Sequence, residues 1–70
     1  MKREQIIIET EYIKLDQLLK YAGAVENGAH AKFVISGGQV RVNGQSEQRR
    51  GRKLHKGDEV SYLDTLYVVE

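Results

Sequence analysis

Seventy residues with a net charge of +1, no cysteine and no proline make one small domain with a thin core. The missing cysteines exclude disulfides, thiolate metal sites and cysteine nucleophiles, and two histidines are too few for a histidine-based metal cluster. No run approaches the ~18 apolar residues of a membrane span, and the apolar stretch after Met-Lys-Arg-Glu is too short for a secretory signal.

Residues 1–4 read as a frayed, charged terminus, and residues 5–9 as a strand carried by Ile6, Ile7 and Ile8. Leu15, Leu18, Leu19 and Ala22 then recur at the i, i+3, i+4, i+7 spacing of one helical face. Asp16 suits the positive end of that helix. Its cap is expected at Thr10 or a neighbour, because Lys14 carries no acceptor. Gly23 is the expected stop. A second helix is predicted over Gly28–Ser36, capped by Asn27 and ended by Gly37-Gly38, with Ala29, Phe33, Val34 and Ile35 as its apolar side. The short link between the two predicts a helical hairpin.

The remainder reads as short strands. Residues 39–42 alternate polar and apolar, and Asn43-Gly44 is a tight-turn signal, since both positions favour positive φ. Residues 45–50 are polar and form a hairpin return or loop. Lys56-Gly57-Asp58 is another turn, residues 59–63 alternate again with Val60 and Tyr62 on one face, and residues 66–69 make a final strand. The predicted fold class is α+β: a two-helix hairpin packed on a small, mostly antiparallel twisted sheet, in a single domain over residues 1–70.

The charge is distributed unevenly. Residues 32–56 contain seven basic side chains (Lys32, Arg41, Arg49, Arg50, Arg52, Lys53, Lys56) and one acid, Glu47; the rest of the chain carries four basic residues against nine acids. Within the basic window, Arg49-Arg50-Gly51-Arg52-Lys53 packs four cations into five residues. Phosphates would neutralise such a cluster and release counterions, and the planar fork of arginine pairs with phosphate through two parallel hydrogen bonds. Lys32 and Arg41 extend the patch. The plain alternative is a solvated basic loop.

Nothing comparable points to catalysis. The acids are scattered, no serine–histidine–acid trio has the setting of a nucleophile elbow, and His30 and His55 read as surface residues. The glycines match neither dinucleotide-binding nor Walker-type spacing, and cap and turn duties account for them. As a DNA-reading unit the second helix offers only His30 and Lys32 as polar reach, whereas a major-groove helix presents several Arg, Asn or Gln side chains. A basic face reading backbone shape suits folded RNA better. Phe33 and Tyr62 are expected in the core rather than as base-stacking platforms.

Four segments together resemble a known family: Lys14-Leu15-Asp16-Gln17-Leu18-Leu19, Ala29-His30-Ala31-Lys32, Gly38-Gln39-Val40-Arg41-Val42-Asn43-Gly44 and Lys56-Gly57-Asp58-Glu59-Val60. They look like the S-four RNA-binding domain, named after ribosomal small-subunit protein four, over about residues 12–62. The Arg49–Lys53 run further resembles its small stand-alone bacterial members, the YaaA-like and YbcJ-like proteins. The resemblance implies two antiparallel helices on a twisted sheet. It also implies an RNA-binding face built from the start of the first helix, the second helix and the Asn-Gly turn.

Mapped onto this chain, that face holds Lys14, Lys32, Asn43 and Gly44, with Arg49, Arg50, Arg52 and Lys53 adding charge and His30 a hydrogen bond. Where typical members open the second helix with Ser-Arg, this chain has Asn27-Gly28, which leaves the amides at Gly28 open to a phosphate. The family implies a non-enzymatic module with no cofactor, metal, membrane or small-molecule substrate. It would act in the bacterial cytoplasm on structured RNA, ribosomal RNA or transfer RNA, or on a ribosomal subunit. The rival expectations are a protein-interaction adaptor that pairs through a strand edge, and duplex DNA binding.

Overall fold

The computed structural model describes all 70 residues. In chain order the elements are β1 (Lys2–Ile6), β2 (Ile13–Lys14), α1 (Leu15–Tyr21), α2 (Gly28–Ser36), β3 (Val40–Val42), β4 (Gln45–Ser46), β5 (Lys53–Leu54), β6 (Glu59–Tyr62) and β7 (Thr65–Val69). One sheet has the order β1-β7-β6-β3-β4, and β2 pairs with β5 in a second, two-stranded sheet. The β1–β7 pair is parallel and every other pair antiparallel, so the α+β reading of a helical hairpin on a mostly antiparallel sheet holds.

Leu15, Leu18 and Leu19 are fully buried, as their spacing on one face of α1 requires. They meet Ala31, Val34 and Ile35 of α2 and the inward row of the sheet: Val40, Val42, Val60, Tyr62, Tyr67 and Val69. Alternation along β6 sends Val60 and Tyr62 inward and leaves Glu59 and Ser61 half-buried. The Asn43-Gly44 turn has φ of 52° and 85°, the double positive φ of the tightest hairpins, and joins β3 to β4.

Three expectations are corrected. Residues 2–4 are not frayed: β1 begins at Lys2, and the strand lies three residues earlier than the isoleucines suggested. Edge pairing explains this, because the ladder to β7 is made by backbone groups that charged residues supply as well as apolar ones. Ile7 falls beyond β1 and is 67% exposed, while Ile6 and Ile8 are buried.

Phe33 is not core; it is 70% exposed. The buried stripe of α2 is Ala31, Val34 and Ile35, and at 3.6 residues per turn Phe33 falls on the opposite side with Ala29 and Ser36.

Finally, α1 has no side-chain cap. Lys14 occupies the capping position, and the amides of Leu15 and Asp16 donate instead to the carbonyls of Arg52 (2.9 Å) and Arg50 (3.1 Å).

Candidate nucleic-acid interface

The capping of α1 by backbone from residues 50–52 ties the arginine-rich loop to the start of that helix. At its other end the same loop reaches α2, where Gln48 Nε2 donates to the carbonyl of Ser36 at 3.4 Å. The loop therefore bridges the C-terminal end of α2 and the N-terminal end of α1, which also shows that the two helices run antiparallel. Lys32 lies one turn before Ser36, whose hydroxyl donates to the Lys32 carbonyl at 2.6 Å.

Glu47 organises this loop. It is 7% exposed, and its carboxylate accepts from Arg49 Nε and Nη2, both at 3.0 Å, and from Arg52 Nη1 at 2.7 Å. The Arg49 amide adds a fourth bond at 3.1 Å. The Arg49 and Arg52 side-chain bonds hold the Glu47 carboxyl well below its ordinary value, at about 2, against the opposing effect of burial. The same contact raises Arg49.

Arg49 and Arg52 are thus not free cations: one buried acid neutralises half their joint charge. It also fixes their guanidinium planes, leaving the unused N–H groups of each for a further acceptor. Arg49 remains 74% exposed at the side chain.

Beyond the loop, β5 pairs with β2 so that Lys53 stands directly across from Lys14. Like charges facing across a strand pair repel, and an anion placed between them would remove that repulsion. Lys53 Nζ also lies 4.8 Å from the ring centroid of Tyr12, a cation–π contact. Tyr12 is partly exposed and packs at 6.3 Å, tilted, against His55.

Asp58 continues the chain of contacts by accepting from the His55 amide at 2.8 Å and from Asn43 Nδ2 at 3.2 Å. Burial pushes its carboxyl up, but the His55 amide, the Asn43 amide and the nearby charges of Arg52 and His55 outweigh it and the net shift is downward. Asn43 Oδ1 in turn accepts from the Glu59 amide at 2.9 Å. Both functional groups of the Asn43 side chain are therefore engaged within the protein, whereas Gly44 is exposed, with open space where a side chain would project.

Arg49, Arg50, Arg52 and Lys53 follow one another along the loop into β5, Lys14 stands across from Lys53, and Lys32 lies one turn before the Ser36 carbonyl that Gln48 reaches, with Asn43 linked through Asp58, His55 and Tyr12. Two of the residues singled out in the sequence are not gathered there. Gly28 and His30 stand at the first turn of α2, the far end of the hairpin from the loop. His30 works locally: its amide donates to Asn27 Oδ1 at 2.8 Å, and its Nδ1 accepts from the Glu26 amide at 3.3 Å, a reciprocal cap. Arg41 is also elsewhere, lining a shallow hollow with Met1, Gln39, Ser61, Tyr62 and Leu63.

Glu47, Tyr12 and His55 were missed from sequence. For Glu47 a signal was present: it is the one acid in the basic window, two residues before Arg49 and five before Arg52.

Comparison with known proteins points the same way. The chain is 47% identical over 55 residues to "Probable ribosome maturation protein RlbA" of Bacillus subtilis (strain 168), covering 79% of this chain and 78% of that protein. It is 43% identical over 51 residues to "Putative RNA-binding protein YbcJ" of Escherichia coli (strain K12), covering 73% of each. A Shigella flexneri protein, "Uncharacterized protein YbcJ", matches to the same extent. The S4 domain matches residues 6–70, which take in both helices, the arginine-rich loop and every strand except the first four residues of β1. The chain belongs to the S4 domain family.

Proposed function

We propose that this protein is a non-enzymatic RNA-binding module that grips the phosphate backbone of folded ribosomal RNA, in the cytoplasm, on or near a ribosomal subunit. One observation carries the reading. The arginine-rich loop is tied to α1 by the Leu15 and Asp16 amides and to α2 by Gln48, Glu47 fixes Arg49 and Arg52 within it, and it continues into a cross-strand lysine pair, so its cations are held in place in advance. Pre-ordering lowers the entropy cost of binding. Membership of the S4 domain family and the names of two relatives, one for RNA binding and one for ribosome maturation, support the choice of partner. Contacts of this kind read shape and phosphate spacing before base identity.

The cleanest test reverses cations that make no internal ion pair. Arg50→Glu with Lys53→Glu should lower affinity for a ribosomal RNA hairpin by at least about tenfold, with the thermal melt little changed, because both side chains are exposed. Unchanged binding overturns the reading. Equal affinity for a DNA hairpin of matched length would redirect it to nucleic acid in general.

A further inference from the structure

A second surface, independent of the cationic strip, lies at the outer edge of the large sheet. Ile7, Ile8, Glu9, Thr10, Ile13 and Tyr21 line a concavity of about 450 Å³. Ile7 and Tyr21 within it are 67% and 69% exposed. Two large apolar side chains held in water at one hollow are a costly arrangement on so small a domain, and grooves of this kind mark interaction sites.

The backbone beside the hollow also has groups with no partner inside the protein. Ile8 N–H donates to the Glu70 carbonyl and Glu70 N–H to the Ile6 carbonyl, each at 2.8 Å. Alternation then turns the N–H and C=O of Ile7 away from β7, toward the open side of the sheet, where they can pair with an added strand.

The charge around the hollow specifies the visitor. Glu9 lines it, Glu70 flanks Ile7 through those two backbone bonds, and Glu11 is exposed two residues further on. The cations adjacent in sequence are Lys14, next to Ile13, and Lys20, next to Tyr21. Ile13 faces the hollow while Lys14, the next strand residue, points to the opposite side, so the cationic strip and the acidic rim are separated by the alternation of β2.

We infer that this groove docks an extended, basic segment of a partner protein. The segment adds as a strand beside Ile7, seats an apolar side chain against Ile7 and Tyr21, and sets its cations against Glu9, Glu11 and Glu70. A module that holds RNA with one face and a basic protein tail with the other would join the two components of a ribonucleoprotein particle.

The probe is a short labelled peptide of alternating Lys and Val, with an alternating Glu and Val peptide as control, titrated into the isotope-labelled full chain. Amide shifts should gather at Ile7, Ile8, Glu9, Ile13 and Tyr21 with the basic peptide alone. Ile7→Ser and Tyr21→Ser should each weaken binding by about tenfold. Because both side chains are exposed, the melt and the affinity for an RNA hairpin should stay unchanged, which separates this surface from the RNA reading. Equal binding of the acidic peptide, shifts gathered elsewhere, or no binding overturns the inference. So does a dimer of this chain that Ile7→Ser dissociates, since that assigns the groove to a second copy.

Discussion

Glu47 shows how much one side chain can decide. A carboxylate this buried, accepting from two guanidiniums and an amide, stabilises the loop only while it is charged. Its folded titration lies at about 2 against an ordinary 4.5, so the unfolded chain takes up the proton first. The stabilisation is therefore complete above about pH 4.5 and is lost as the pH falls toward 2. Glu47→Gln should cost about 1–3 kcal/mol near neutrality. Urea unfolding at pH 6, 4 and 3 should also show a shallower loss of stability with acid in the variant than in the parent. Sequence inspection counted Glu47 as a lone acid diluting a basic run. Which cations a carboxylate pairs with depends on how the loop folds back, and spacing along the chain does not fix that. The misplacement of Phe33 has a similar origin, since its position on α2 is set by the face that Val34 and Ile35 bury.

The helices and turns were the readable elements. Asn27, Gly37-Gly38 and the apolar spacing placed α2 at its observed bounds, and Asn43-Gly44 marked its turn, because each rests on local conformational preference. The two-residue strands β2 and β5 carry no periodicity, and β1 is held by backbone pairing to a distant partner, so neither left a pattern to read. Asn43 has a larger duty than making a turn: its side chain bonds Asp58 and the Glu59 amide, pinning the turn to the start of β6. Asn43→Ala should destabilise the protein by about 1–2 kcal/mol, seen as a lower melting temperature. Affinity for RNA, measured well below that temperature, should change by less than about twofold, because neither group of the side chain is free to reach a ligand.

Across the domain, a near-zero net charge conceals a cationic strip and an acidic remainder. Engagement of about four phosphates would give a log–log slope of affinity on salt near −3 to −4, measured by fluorescence anisotropy from low to moderate salt. Neutralisation of half the Arg49–Arg52 charge by Glu47 argues against a steeper slope, even though the sequence window holds seven cations. The family and the α+β class could be read from the chain. The internal pairing of two of its arginines, and the distance of Gly28 and His30 from the loop, required the fold.

The parallel pairing of β1 with β7 sets an order of events. β1 precedes every other strand of the domain, yet it acquires its neighbour only when residues 65–69 have been made. Until then residues 2–6 have no ladder to join. A growing chain must therefore keep residues 2–6 unpaired through the synthesis of both helices and the hairpins, and closure of this longest loop is the step expected to govern how fast the domain completes itself.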